Sequence, residues 1–382
     1  MSPLIKVKLD NPAILAWARE EIGLTKTDVA NRFRKTEVTI DSWENGDDAP
    51  TFRQLTELAN YYKRPLATFF LPSIPPSSPK PDDYRMLPGL TLGRFSKDTL
   101  IAYREVYNMI DDVQELLELL DIEIEFSLPH WTMGDDPEEK AKELRALLGI
   151  TIEKQIEEMS TYYVALDMWR SVLFDHGIIV RICRIPIEDA RAFCLFRNQL
   201  AGIGLSNEDR EHGKIFSLFH EICHLSLRKP GVSGLASNYR SPNQDLEQYC
   251  DRFSASFLLP SSHPEVVNSL KYLSNRLTLE NARSIANRFK VSKYVIIRRT
   301  LDMGFLSINA YWNIYNEWLS IDKRNKSKVS ENRGGNYYAT QISYNGKRYV
   351  SLVMEAMRRH YITSVDVKRF LGLTPNNIEL SM

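Results

Sequence analysis

The sequence is short of cysteine: its 382 residues hold four, Cys183, Cys194, Cys223 and Cys250, none in the CxxC spacing of a redox or structural zinc site. Reduced, partly buried thiols in a reducing compartment are therefore expected. No apolar run reaches the ~18 residues that a membrane-spanning helix needs. The opening MSPLIKVKLD lacks the apolar stretch of a secretion signal, which points to the cytoplasm. Neither charge is in excess, since Lys plus Arg and Asp plus Glu number 49 each. No global field then draws the chain to nucleic acid or to an anionic membrane, and any affinity for DNA has to be local. What is present is ordinary for a globular protein, 43% hydrophobic and 26% charged, in a chain too long for one common domain.

The clearest boundary is Leu71-Pro72-Ser73-Ile74-Pro75-Pro76-Ser77-Ser78-Pro79-Lys80-Pro81, whose prolines forbid helix and favour an extended spacer. Before it, apolar residues recur at helical spacing in five short runs: Ile14 to Ile22, Lys26 to Phe33, Glu37 to Glu44, Thr51 to Tyr62 and Leu66 to Phe70. Gly23 ends the first run, Thr25 and Thr36 stand where N-cap oxygens would start the second and third, and Asn45-Gly46 ends the third.

The segments LTKTDVANRF, VTIDSWENGDDAPTFRQLTELANYY and PLATFF, with Trp43-Glu44-x-Gly46 and Pro50, resemble the lambda-repressor or Xre type of helix-turn-helix over residues 11 to 71. The resemblance implies a third helix in the major groove, with Lys35, Thr36, Glu37, Thr39 and Ser42 facing DNA and Lys26 touching phosphate. Residues 1 to 72 nevertheless carry ten Lys or Arg and ten Asp or Glu, and Glu37 and Asp41 sit on the recognition helix itself. Because phosphate contacts supply most of the affinity, such a domain would bind duplex weakly unless dimerised. A protein-binding or dimerisation module is the alternative.

A second feature lies in Ile215-Phe216-Ser217-Leu218-Phe219-His220-Glu221-Ile222-Cys223-His224-Leu225-Ser226-Leu227, where apolar positions continue on both sides of two histidines. Spacing i, i+4 puts His220 and His224 one turn apart on one helix face, where both imidazoles can reach a single zinc ion. Glu221, beside the first, is placed to act as a general base. A buried helix whose histidines merely bond carbonyls is the plainer reading, but two histidines and a carboxylate within one turn are costly to bury without a cation. Glu247, 23 residues after His224, opens the run LEQYCDRFSASFLLP, which Pro260 ends, and is the expected third metal ligand. Asp251, four residues on, is expected to accept the outward N–H of a ligand histidine. Tyr239 and His263 are nearby in sequence and read as structural residues.

The leader AKELRALLGI, LFDHGIIVRICRIP, the strand-like LAGIGLS, IFSLFHEICHLSL and LEQYCDRFSASFLLP together resemble the ImmA/IrrE metallopeptidases, from about Ala141 through Phe305. The resemblance implies His220, His224 and Glu247 as ligands of Zn2+, Glu221 as catalytic base, and a repressor protein as substrate. The sequence departs from that family in having Asp251 where Asn is common and Cys250 where Ala is frequent.

Further on, Thr278 to Phe305 reads as two helices joined at Lys290-Val291-Ser292, a helix-turn-helix-like element suited to core packing or substrate docking. Lys323 to Lys328 reads as a basic loop. Tyr337 to Val353 alternates in strand fashion around Asn345-Gly346, predicting a two-residue β-hairpin, and Thr363 to Leu371 resembles a small appendix behind some members of the family.

The expected fold is mainly α with small β elements (α+β): a five-helix helix-turn-helix domain over 1–72, a Pro-rich linker over 73–90, a zincin-like, gluzincin-type HExxH metallopeptidase domain over 91–265, and a C-terminal helical region over 266–382 with a hairpin. The expected function is zinc-dependent cleavage of a helix-turn-helix repressor or similar regulatory protein. The rival is a DNA-binding regulator or antitoxin of a toxin-antitoxin pair, its zinc domain a scaffold for the cognate toxin.

Overall fold

Three of the short polar-edged runs in the first part of the chain, Lys26–Phe33, Glu37–Asn45 and Phe52–Tyr62, are each started by a threonine hydroxyl and stopped by a left-handed residue. The structure, a computed structural model, describes residues 6–76, 95–229, 232–233, 244–326 and 336–380. It packs as two units, Met1–Glu105 and Val106–Met382. In the first unit α1 spans Ala13–Glu20, α2 Lys26–Phe33, α3 Glu37–Asn45 and α4 Phe52–Tyr62, and a 3-10 turn over Leu66–Phe70 replaces the fifth expected α-helix. The hydroxyls of Thr25, Thr36 and Thr51 accept from the backbone N–H of Asp28, Thr39 and Gln54, satisfying donors that a helix start leaves orphaned.

The Trp-Glu-x-Gly pattern has a physical reading here. Trp43 enters the core with Ile14, Val29, Ile40 and Leu58. Glu44 is buried against Arg19, whose Nε and Nη2 donate to its two oxygens at 2.7 and 3.0 Å, tying α3 to α1. Gly46 turns the chain at φ +85°, where a Cβ would also sit 3.0 Å from Pro12.

From Lys97–Leu120, which forms α5, the chain enters the second unit. There α6 is Pro137–Leu148, α7 Ile152–Glu157, α8 Tyr162–Asp175, β1 Ile178–Cys183, β2 Ala192–Arg197, β3 Leu200–Ser206, α9 Glu211–Ser226, β4 Val232–Ser233 and α10 Gln244–Leu258. The remainder is helical: α11 Pro264–Asn275, α12 Leu279–Phe289, α13 Lys293–Asp302, α14 Ile308–Lys326, α15 Tyr337–Asn345, α16 Lys347–Arg358, α17 Ser364–Leu371 and α18 Pro375–Glu379. The sheet has the order β1-β3-β2-β4. β3, the expected LAGIGLS strand, is buried throughout, parallel to β1 and antiparallel to β2. No described helix is long and apolar enough to cross a membrane.

One core joins Trp169, Ile178, Ile203, Phe219 and Phe257 to Val266, Ala286, Phe289, Ile296 and Trp318, so the helices after residue 266 share the core of those before it. α12 and α13 meet at Lys290, in the left-handed region at φ +57°, and Ser292 caps the second. Both are packed inward, as the core-packing reading expects. The basic run enters α14 rather than a loop as far as Lys326, and the remainder of it, with Tyr239, residues 77–90 of the linker and residues 91–94 beyond it, lies outside the described residues.

The expected hairpin around Asn345-Gly346 is instead two helices, α15 and α16. The aromatic and β-branched residues of this stretch imitate a strand. Their burial is helical: Tyr349, Val350, Val353, Met354 and Ala356 form one inward face. Arg170 of α8 then satisfies the carbonyls that the end of α15 leaves open, donating from Nη1 to Ser343 at 2.6 Å and from Nη2 to Tyr344 at 3.1 Å. Gly346 adopts φ +87°, ψ 137°, and a Cβ there would lie 2.6 Å from the Arg170 guanidinium. Gly346→Ala is therefore expected to cost at least about 1–3 kcal/mol, from backbone strain alone. The measurement is thermal unfolding followed by circular dichroism, and an unchanged midpoint would remove the close Gly346–Arg170 approach.

On α5, burial pushes the Asp112 carboxyl up to about 6, with Arg369 acting against the shift. Tyr349 Oη donates to it at 3.4 Å. A carboxyl raised on folding favours the protonated native form, so its stabilisation is complete below the unfolded pKa of about 4 and disappears as pH rises through 6. Asp112→Asn should flatten the pH dependence of urea stability between about pH 4 and 7 by roughly 2 kcal/mol relative to wild type. Parallel curves for the two proteins would contradict this assignment.

Candidate metal centre

α9 is buried on almost every side, packed against α8, α10, β2 and β3. Its apolar residues account for this: Phe219 stacks on Phe257 at 4.0 Å and meets Trp169 edge-on at 5.0 Å. The helix therefore carries His220, Glu221 and His224 into the interior, where they are 6%, 0% and 5% exposed. From α10, the spacing i, i+3, i+4 turns Glu247, Cys250 and Asp251 toward this face of α9.

The ring nitrogens and carboxylate oxygens converge. His220 Nε2 lies 3.2 Å from His224 Nε2 and 3.1 Å from Glu247 Oε2, and His224 Nε2 is 3.4 Å from Glu247 Oε1. Zinc at tetrahedral geometry with bonds of about 2.0–2.1 Å spaces its donors by about 3.3–3.4 Å. The three predicted ligands thus stand at the separations that one such ion requires. The other nitrogen of each ring is also held: His220 Nδ1 is 3.0 Å from Asp251 Oδ1, and His224 Nδ1 is 3.1 Å from the Lys229 carbonyl oxygen. A ring that donates from Nδ1 presents the Nε2 lone pair to the shared point. The Lys229 carbonyl had no signature in the sequence, since a backbone acceptor does not depend on residue type.

Electrostatically the cluster favours positive charge. Burial disfavours charge on His220, but its hydrogen bonds to Asp251 and Glu247 outweigh that and hold it well above the usual imidazole range. Burial would raise the Glu247 carboxyl, yet the hydrogen bonds from both histidines bring it far below the usual carboxylate range. A dication at the convergence point answers the same demand. Glu221 supplies a further observation: both its carboxylate oxygens are buried and have no hydrogen-bond partner among the described residues. Such a group is costly to bury unless the site brings it a donor or a cation. Cys250 also belongs to the cluster, its sulfur within 4.8 Å of a ring nitrogen of each histidine. His263 is engaged elsewhere, at 2.7 Å from Glu153.

In the first unit the residues expected at DNA lie on α2, α3 and the turn between them but differ in freedom. Lys35, Thr36 and Glu37 are exposed, and Thr39 and Ser42 half-buried. Lys26 is ion-paired with Asp41 and lies 3.9 Å from Glu44. Glu37 accepts from Thr27 at 2.6 Å, and the Thr36 and Thr39 hydroxyls bond each other at 3.0 Å. Between them Val38 stands 77% exposed, a position the sequence reading did not single out.

Because Asp251 fixes His220 from behind, Asp251→Ala is expected to weaken zinc binding by about 10- to 100-fold. Competition against a chromophoric chelator measures this, and unchanged affinity would take Asp251 out of the site.

Comparison with known families agrees with this division of the chain. Residues 15–69 match the helix-turn-helix family, and residues 174–301 match a peptidase family described as the IrrE N-terminal-like domain. No curated protein matches the chain. The matched segments hold α2 and α3 in one case and the convergent His220, His224 and Glu247 in the other, and the chain is accordingly an N-terminal helix-turn-helix domain joined to a peptidase domain of the IrrE/ImmA type.

Proposed function

We propose that this chain is a cytoplasmic zinc endopeptidase that cleaves a helix-turn-helix repressor or a similar regulatory protein, and that its own helix-turn-helix domain selects the substrate or the DNA on which the substrate sits. The observation that carries this reading is the 3.1–3.4 Å spacing of His220, His224 and Glu247 around one point, next to a buried Glu221 without a partner among the described residues. A binding scaffold has no use for that carboxylate.

In this reading His220 and His224 hold the ion through Nε2 and Glu247 holds it through its carboxylate. A bound zinc ion would supply Lewis acidity at the scissile carbonyl. Glu221 takes a proton from the attacking water on one carboxylate oxygen and returns it to the leaving amide nitrogen. Asp251 and the Lys229 carbonyl keep both rings in the tautomer that leaves Nε2 free. The apolar wall of Phe219, Phe253 and Phe257 lowers the local dielectric, which strengthens these interactions.

Purified chain, loaded with zinc, is to be incubated with candidate helix-turn-helix repressors. Wild type should cleave its substrate, and Glu221→Gln should lower the rate by about 10²- to 10⁴-fold with zinc content unchanged. Equal cleavage by both proteins would remove Glu221 as the base. Zinc retained without cleavage of any repressor would favour the regulator or antitoxin reading.

A further inference from the structure

Cys250 is fully buried on α10, one turn beyond Glu247, where the apolar core borders the cluster. Its sulfur lies within 4.8 Å of a ring nitrogen of both His220 and His224. A buried cysteine is ordinarily a small apolar filler. This one faces two imidazoles whose outward nitrogens are tied to Asp251 and to the Lys229 carbonyl, so their remaining donors point at the space the sulfur borders. Zinc accepts nitrogen, oxygen and sulfur together, and a tetrahedral ion held by three protein donors has one position left.

We propose that Cys250 is a zinc ligand, and that with His220, His224 and Glu247 it completes a four-donor set that closes the resting site to substrate. The inference rests on the metal centre of the proposed function and adds the state in which that centre is kept. On ligation the Cys250 S–H bond breaks, the proton leaves to solvent, and a bond from Sγ to the ion forms with no change of oxidation state. Opening reverses this: a proton returns to Sγ and the fourth position becomes free for a substrate carbonyl. A closed four-ligand site and an open three-ligand site are the two forms that separate structural from catalytic zinc, and α10 carries both the permanent donor Glu247 and the added donor Cys250, opposite the two histidines of α9.

X-ray absorption on the zinc-loaded full chain tests this without reference to activity. Wild type is expected to show one sulfur at about 2.3 Å together with nitrogen and oxygen at about 2.0–2.1 Å, with a total coordination of four. The sulfur should vanish in Cys250→Ala and Cys250→Ser while zinc stays bound through the other three donors, and it should persist in Cys223→Ala. A wild-type spectrum with zinc bound by nitrogen and oxygen alone overturns the inference and leaves the metal centre standing. So does a sulfur that survives in Cys250→Ala. Absence of zinc from wild type would instead sink the metal centre itself, and the thiolate with it. The wild-type spectrum decides the matter even if both Cys250 variants fail to fold.

Discussion

Two imidazole nitrogens held 3.2 Å apart inside an apolar core form a constraint that much of the second unit is arranged to meet. Left alone, His220 and His224 would each prefer water, and Glu221, wholly buried, would prefer it more strongly. Burial of α9 is enforced by its other residues, Ile215, Leu218, Phe219 and Ile222, which lie in the same core as Trp169 and Phe257. The polar groups are carried inward on the same helix turns. Their presence is compensated from α10 by Glu247 and Asp251 and from the end of α9 by the Lys229 carbonyl. The site is thus a local exception inside the core, sustained by a small number of opposing groups.

α10 must then be fixed with respect to α9 to within the tolerance of a coordination shell. Its first turns present the acids, and its far end is where the fold secures it. The carbonyl oxygens of Phe257, Leu258 and Leu259, which a helix end leaves without internal donors, accept from Arg145 at 2.7 Å, Gln155 at 3.2 Å and Arg299 at 2.8 Å. Those donors belong to α6, α7 and α13. Glu138 at the start of α6 completes the arrangement, accepting from Ser256, from Ser261 and from Arg299. Arg299 of α13 thus holds the end of α10, and the helix-turn-helix-like pair α12 and α13 is packed into the same core.

Much of this was legible beforehand because it is written in local chemistry. Thr25 and Thr36 cap the helices they were expected to cap. His220 and His224 share a face because 3.6 residues make a turn, and Glu247 and Asp251 share one for the same reason. What the sequence withheld depends on contacts between distant segments. The hairpin expected around Asn345-Gly346 failed because Arg170, more than 170 residues earlier in the chain, caps a helix there, and because β-branched and aromatic residues suit a buried helix face as well as a strand. Cys250 was visible only as a departure from the family pattern. Its place beside both histidines follows from how α10 is rotated on α9, which spacing alone does not determine.

Among the described residues, half of the ten cations of residues 1–72 are ion-paired within the helix-turn-helix unit. Arg19 is buried against Glu44, Lys26 is held by Asp41, Lys6 by Asp48 and Arg64 by Glu21 at 3.4 Å. The first two of these pairs orient α3 on α1 and α2, as a recognition helix requires. They also withdraw cations from the surface where phosphate would be met, and counterion release by such cations is the main source of affinity for duplex. What α3 and the turn before it offer in their place is hydroxyl groups, Lys35, and an exposed Val38, a set that suits short-range contact. A domain of this kind gains most from a partner that supplies the missing charge, and a second helix-turn-helix protein on the same operator is such a partner. Under the function proposed above, the property that weakens the unit as a lone repressor would fit it to locate one, the step that repressor cleavage needs.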